Sequence, residues 1–319
     1  MKTFYWLVKR EFWEHRGGFF WAPLISGGVF LVLNIMALIA TEVLGGPGNT
    51  RFGIAPGLNI SGHMDADMLG KVGAGLDIAM YVVAGIVLMI MAIIVFFYSL
   101  GSLYDDRRDR SILFWKSLPI SNRDTVLSKV VSATIVAPAI ACIFGTCAGL
   151  LLFLIAAFTA SLHGLNMWEL LMSSHPLLVA INMITLIPLY AIWALPTVGW
   201  LMFCSAWARS KPFLWALLAP LAAGVIVSWF GLMGLFDLGS GWFWKNIVAR
   251  MLLSLIPGGW IRDAASIDNE PRDPSVILDH IGLVHNYATL ASPDLWLGAI
   301  AGIVLITAAI WLRRWRDDS

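Results

Sequence analysis

Residues 105 to 110 read Asp-Asp-Arg-Arg-Asp-Arg, and Lys116 follows after four apolar residues. Asp105, Asp106, Arg107, Arg108, Asp109 and Arg110 sum to zero charge and can pair locally for a few tenths of a kcal/mol each, roughly, so stability does not explain the run. Ile112, Leu113, Phe114 and Trp115 come next, and a Trp beside an Arg cluster is typical of protein interface anchors. The chemistry implied is docking of a charged, aromatic-tipped segment, with Asp105 to Arg110, Ser111, Leu113, Trp115 and Lys116 as its candidate contacts. A solvated juxtamembrane helix with its aromatics at the headgroup level is the plainer alternative.

Other chemistries find little footing. No G-x-x-x-x-G-K-[ST] loop, H-E-x-x-H helix or G-x-S-x-G elbow occurs, so no phosphate cradle, zinc-protease helix or strained serine nucleophile is available. His63, His163, His175, His280 and His285 are scattered, and although Asp65 and Asp67 neighbour His63, the spacing reads as polar loop rather than metal site. Cys142, Cys147 and Cys204 sit in apolar stretches without disulfide or zinc spacing and read as packing residues. Met80, Met89 and Met91 could soften a substrate path, or serve as ordinary lipid and core contacts.

The elements that position the charged run are apolar helices. The chain is 319 residues long, 59% hydrophobic and 13% charged, with a mean hydropathy of +0.79, far from the roughly one-quarter charged composition of soluble domains. A helix needs about 20 mainly apolar residues to cross a bilayer. Six stretches qualify, near Phe19 to Thr41, Ile78 to Leu103, Val130 to Ala160, Leu177 to Trp207, Phe213 to Phe236 and Leu295 to Leu312, with Pro138, Pro188, Pro196 and Pro220 expected to kink their helices. With the N-terminus inside, every Lys and Arg except Arg51, Lys71, Lys245, Arg250, Arg262 and Arg272 falls on the inner side, which predicts cytoplasmic termini and a cytoplasmic charged run. The charged N-terminal stretch and the length of the apolar run after it predict no cleavable signal. The expected fold is therefore an all-α integral membrane protein forming one domain over 1–319.

Three accessory segments are predicted. Residues 1–18 form an amphipathic cytoplasmic helix with Phe4, Val8 and Phe12 on one face and Arg10 and Glu14 elsewhere, lying along the membrane or meeting a partner. Residues 104–129 form a rigid elbow. The second span continues without Pro or Gly to Leu118, Pro119 stops it, and Ser121 with Asp124 three residues on opens a new helix. Residues 237–294 form an outer segment in which "GWFWKNIVARMLLSLIPGGWI" is too short to span and carries Trp242, Trp244 and Trp260 near its ends, as a re-entrant piece would. On the third span, Ala133, Ala137, Ala141, Gly145 and Gly149 make a small-residue row that lets another helix approach.

The order charged helix, "DRSILFWKSLPISNRDTVLSK", third span resembles the membrane subunit of ABC-2 type ABC transporters. Asp109, Arg110, Leu113, Leu118, Pro119, Ser121 and Lys129 occupy the positions of that pattern, with Ser111 and Ile112 in place of its usual Gly-Thr pair. The opening "WLVKREFWEHR", the six spans and the long last outer segment are similar to the same family. The resemblance implies that 104–129 holds a coupling helix seated in a separate ATP-binding subunit, present twice, which binds the ATP and magnesium, so that this chain needs no cofactor and is no enzyme. It further implies a second permease subunit, identical or homologous, met through the first, second and fifth spans, and a place in a bacterial inner membrane among its lipids. No nucleic-acid partner is expected.

The function expected is that of the permease of an ATP-driven exporter for an amphipathic or hydrophobic cargo. An ion-coupled secondary transporter or channel is the alternative, and such proteins place ionisable groups at mid-membrane, whereas Glu42 and Asp77 sit at predicted span edges.

Overall fold

A computed structural model describes residues 2–44, 66–109, 120–162, 166–234, 239–261 and 274–316. The described residues are helical throughout, with turns and no strand. Helix α1 (Lys2–Glu14) leads through a π-helical turn, Gly17–Trp21, into α2 (Ala22–Leu44). Next come α3 (Ala66–Gly101) and the short α4 (Tyr104–Arg108). Helix α5 (Asn122–Val131) passes through a second π-helical turn, Ser132–Val136, into α6 (Ala137–Leu162). The chain continues with α7 (Met167–Ser173), α8 (Pro176–Thr185), α9 (Ile187–Trp207) and α10 (Pro212–Leu232). It ends with α11 (Ser240–Phe243), α12 (Ala249–Leu253), α13 (Pro274–Ile281), α14 (Leu283–Ala288) and α15 (Pro293–Arg316).

Six of these helical stretches are long and apolar enough to cross a membrane: Gly17–Ala40, Leu69–Arg108, Asn122–Leu162, Ile187–Trp207, Pro212–Leu232 and Pro293–Trp315. That number and arrangement fit a multi-pass membrane protein. Two boundaries differ from expectation, those of the second and fourth stretches, each for a local reason, while the third has the helix start expected at Ser121. The second helix starts at Ala66, a dozen residues early, because Leu69, Leu76 and their neighbours extend its apolar face. The third begins at Asn122, where the Ser121 hydroxyl accepts the Asp124 N–H at 3.0 Å as an N-cap. The fourth is not one helix: it is interrupted at Leu186, and Pro188 starts the next helix. A proline there has no N–H and would clash with the Ile184 carbonyl of a continuous helix.

The π turns at Gly17–Trp21 and Ser132–Val136 precede a proline at the same distance. Ala22 N–H reaches Gly17 O just before Pro23, and Ala137 N–H reaches Ser132 O just before Pro138. In an unbroken α-helix those prolines would collide with the carbonyls of Phe19 and Thr134, and the widened turn relieves the conflict.

The core is built by α9, α15, α3 and α6. In α9 61% of the most apolar stretch is buried, against 11% in α2 and 17% in α10, so these last two helices stand at the periphery. Small residues set the closest crossings. A Cβ on Gly199 would come within 2.6 Å of the Gly302 carbonyl, and one on Gly302 within 2.5 Å of Leu195 backbone, so α9 and α15 nearly touch. In the predicted small-residue row, Ala133, Ala137 and Ala141 are fully buried, Gly145 lies against Ala84 and Gly149 against Met80 of α3.

Candidate functional site

The charged run does not continue the second span as one stiff helix, as the sequence suggested. Helix α3 ends at Gly101, the chain turns at Ser102 and Leu103, and α4 begins again at Tyr104. Two backbone donors exposed by that break, Leu103 N–H and Tyr104 N–H, are both accepted by the Ser205 hydroxyl at 3.0 and 2.9 Å. In return Arg107 donates to the carbonyls of Ser205 and Ala208 at the end of α9, where helix carbonyls lack partners. Helix α4 and the end of α9 thus cap one another.

Asp106 turns the same way. Its carboxylate lies 3.3 Å from Arg313 near the end of α15 and 3.7 Å from Lys129 in α5. Lys129, 4% exposed, also lies 3.2 Å from Glu11 of α1. Glu11 is wholly buried; it accepts from Arg10 at 2.7 Å and from the Tyr98 hydroxyl of α3 at 2.9 Å. His15 and Phe19 pack edge-on against the Tyr98 ring and close the network from the apolar side. One continuous set of alternating charges, Arg10–Glu11–Lys129–Asp106–Arg313, therefore joins α1, α4, α5 and α15, and Tyr98 joins it to α3.

Burial alone would raise the Glu11 carboxyl, but the Lys129 ammonium, Arg10 and the Tyr98 hydroxyl outweigh it and hold the group below its ordinary value. A buried ion pair of this kind is weak evidence of net stabilisation, yet removing one member strands the other's charge in the interior. Glu11, Glu14 and His15 also bring possible ligand atoms within 4.8 Å of one another, but Glu11 already has two cations on it, so the trio reads as part of the ion network.

The predicted docking residues divide accordingly. Asp105, Arg108 and Asp109 point outward and pair only locally, Arg108 lying 3.6 Å from Asp105 and 3.1 Å from Asp109. Asp106 and Arg107 are structural ties instead, which the expectation of purely local ion pairs did not foresee. Arg110, Ser111, Leu113, Trp115 and Lys116 lie outside the described residues. In α1, Phe4, Val8, Arg10 and Phe12 are half-buried and Glu14 is exposed. The line of closest packing is Leu7 and Glu11, set against α5, while Tyr5, Trp6 and Trp13 are the aromatics left bare. The first helix is therefore docked on the start of the third span rather than resting on a surface alone.

Glu11, Tyr98, Ser205 and Arg313 were not singled out by their sequence context. Glu11 follows Phe4 and Leu7 at helical spacing, and Arg313 follows Ile306 and Ala309 in the same way. A charge standing on an apolar stripe was the available signal.

At the opposite end the segment after α10 also departs from expectation. It runs through α11, a π-helical turn at Trp244–Val248 and α12, then turns back through Trp260. Of its three tryptophans only Trp242 is exposed. Trp244 lies against Gly224 of α10 and donates to the Ser228 hydroxyl, and Trp260 is buried, donating to Asn286. Two of the three tryptophans expected at an interface are thus packing residues. Thr197 of α9 donates to the Arg250 carbonyl and accepts Ser254 N–H, Tyr190 donates to the Leu255 carbonyl, and the Arg250 guanidinium lies 3.6 Å over the Trp193 ring. Asp77, buried beside that end, accepts the His175 N–H with both oxygens at the start of α8. His63 and His163 lie outside the described residues.

Comparison of the chain with protein-family models, with curated proteins and with solved structures finds no match in any of the three.

Proposed function

We propose that this chain is the membrane subunit of an ATP-driven transporter of the ABC-2 type, moving an amphipathic or hydrophobic cargo. The observation that carries this reading is the anchored elbow. A short charged helix, α4, presents Asp105, Arg108 and Asp109 outward while Asp106 and Arg107 tie it to α5, α9 and α15. A push on the outward face is thereby passed to several long helices at once, as an external motor would require. The chain carries no P-loop, so the ATP and magnesium belong to a separate subunit.

In this arrangement α1, α4 and the end of α15 lie in the cytoplasm, both termini inside a bacterial inner membrane, and 104–129 holds the coupling helix. The segment 237–294 lies on the outer side, with 241–261 re-entering the outer leaflet. Helices α2 and α10 leave apolar faces bare, in keeping with spans that meet a second permease subunit or lipid.

The test is gentle copurification. An ATP-hydrolysing subunit should accompany the chain, and Leu113→Ala with Trp115→Ala should release it while the chain stays in the membrane. Unchanged association in that double variant, or a purified active complex lacking any ATPase, counts against the proposal.

A further inference from the structure

A cavity of about 440 Å³ lies in the half of the bundle opposite the ion network, between α3, α6, the α8–α9 junction and the turn around Trp260. Its size falls within the roughly 300–1,000 Å³ of small-molecule sites. No residue lining it carries a charge at neutral pH. A charged headgroup placed inside would lose its water without gaining a counter-ion.

Its polar groups are committed with one exception. The Tyr190 hydroxyl donates to Leu255 O, Trp260 donates to Asn286, and the Asn286 amide donates to the carbonyls of Ile281 and Gly282. Tyr81 differs: its oxygen accepts from Asn182 at 2.8 Å, and its own proton has no acceptor among the described residues. Beside it stands Gly85, where an added Cβ would meet nothing within 4 Å. Glycine is a poor helix residue, and here, unlike at Gly145 and Gly149, no neighbouring backbone calls for it. What it preserves is the empty space.

The rim shows where a ligand comes from. Val82, Ile86 and Met89 line the cavity and are also exposed, and they lie near the middle of α3. The mouth therefore opens at the depth of hydrocarbon rather than of water. We propose that this cavity binds an uncharged, mostly hydrocarbon molecule drawn from the bilayer, its ester or carbonyl oxygen accepting the Tyr81 hydroxyl proton. The site lies within one subunit and does not depend on the ATPase reading.

The experiment uses the full chain in phosphatidylcholine nanodiscs with methyl palmitate carrying a mid-chain diazirine. Photolabel is expected on α3 near residues 78–89 and around Cys142, displaced by excess unlabelled ester. It should be lost in Gly85→Leu and fall about three- to tenfold in Tyr81→Phe, the worth of one hydrogen bond. The corresponding carboxylate probe should label more weakly. Label spread equally over α2 and α10, or unchanged in a Gly85→Leu protein that melts like the parent, overturns the proposal. If Gly85→Leu does not fold, the parent protein decides: equal labelling by ester and carboxylate also overturns it. Because the readout is binding without ATP, this result and the copurification result fail independently.

Discussion

The two ends of the bundle are joined by different chemistry. At one end ionised side chains far apart in sequence meet in pairs, Glu11 with Lys129 and Asp106 with Arg313. At the other, neutral side chains bond to backbone or to one another, as Thr197 does to Arg250 O, Tyr190 to Leu255 O and Trp260 to Asn286. Charge pairs respond to pH and to loss of a partner, and α1 and α4 depend on them directly. The neutral bonds of Thr197, Tyr190 and Trp260 hold one geometry and do not titrate, and the carboxylate at that end, Asp77, accepts a backbone N–H rather than a cation on another long helix. The difference suits the proposed function, in which one end receives force and the other keeps a cavity in shape.

The largest expected effect tests whether the ion network is a unit. Lys129→Met leaves Glu11 and Asp106 short of a cation and should cost about 3–5 kcal/mol of stability, read as a lower melting temperature. Adding Glu11→Leu to it should recover part of that loss. Simple additivity of the two would show that the charges are not coupled.

At the neutral end, Thr197→Val removes one donor and one acceptor together and should cost about 1–3 kcal/mol, with no change in its dependence on pH. A pH-sensitive melting difference between Thr197→Val and the parent would erase the contrast between the ends.

Acid should reach the charged end through Glu11. Glu11 is held below its ordinary value of 4.5, so its contribution is present above that pH and lost as pH falls through the lower folded value. Melting of the parent should decline below about pH 4.5 more steeply than that of Glu11→Gln. Equal slopes would remove Glu11 from the account.

The smallest expected effect on stability is at Arg108, exposed and paired only with Asp105 and Asp109. Arg108→Ala should leave melting unchanged while weakening copurification of the proposed ATPase subunit. Loss of stability without loss of association would reverse the division between outward and inward faces of α4.

Much of the frame was legible in the sequence because crossing a membrane needs only local properties, length and apolarity. The Ser121 cap was legible for the same reason, since its bond spans three residues. The break at Ser102 was not, because what satisfies the freed donors is Ser205, about a hundred positions away. The α9–α15 crossing escaped notice although Gly298 and Gly302 stand four apart in α15, because a small-residue step in one helix does not name its partner and α9 offers only the lone Gly199. Trp244 and Trp260 were misjudged because a tryptophan suits a membrane interface and a packed pocket equally well.

Composition and spacing by themselves determined that the chain is a set of apolar helices with charge gathered in a few connecting segments, since each helix satisfies its own backbone and answers to its own residues. Only the tertiary structure decided which of those charges turn inward, that Asp106 and Arg107 hold while Asp105, Arg108 and Asp109 face out, and that a space remains beside Gly85. Those outcomes depend on partners brought together from distant parts of the chain, and adjacency in sequence carries no record of them.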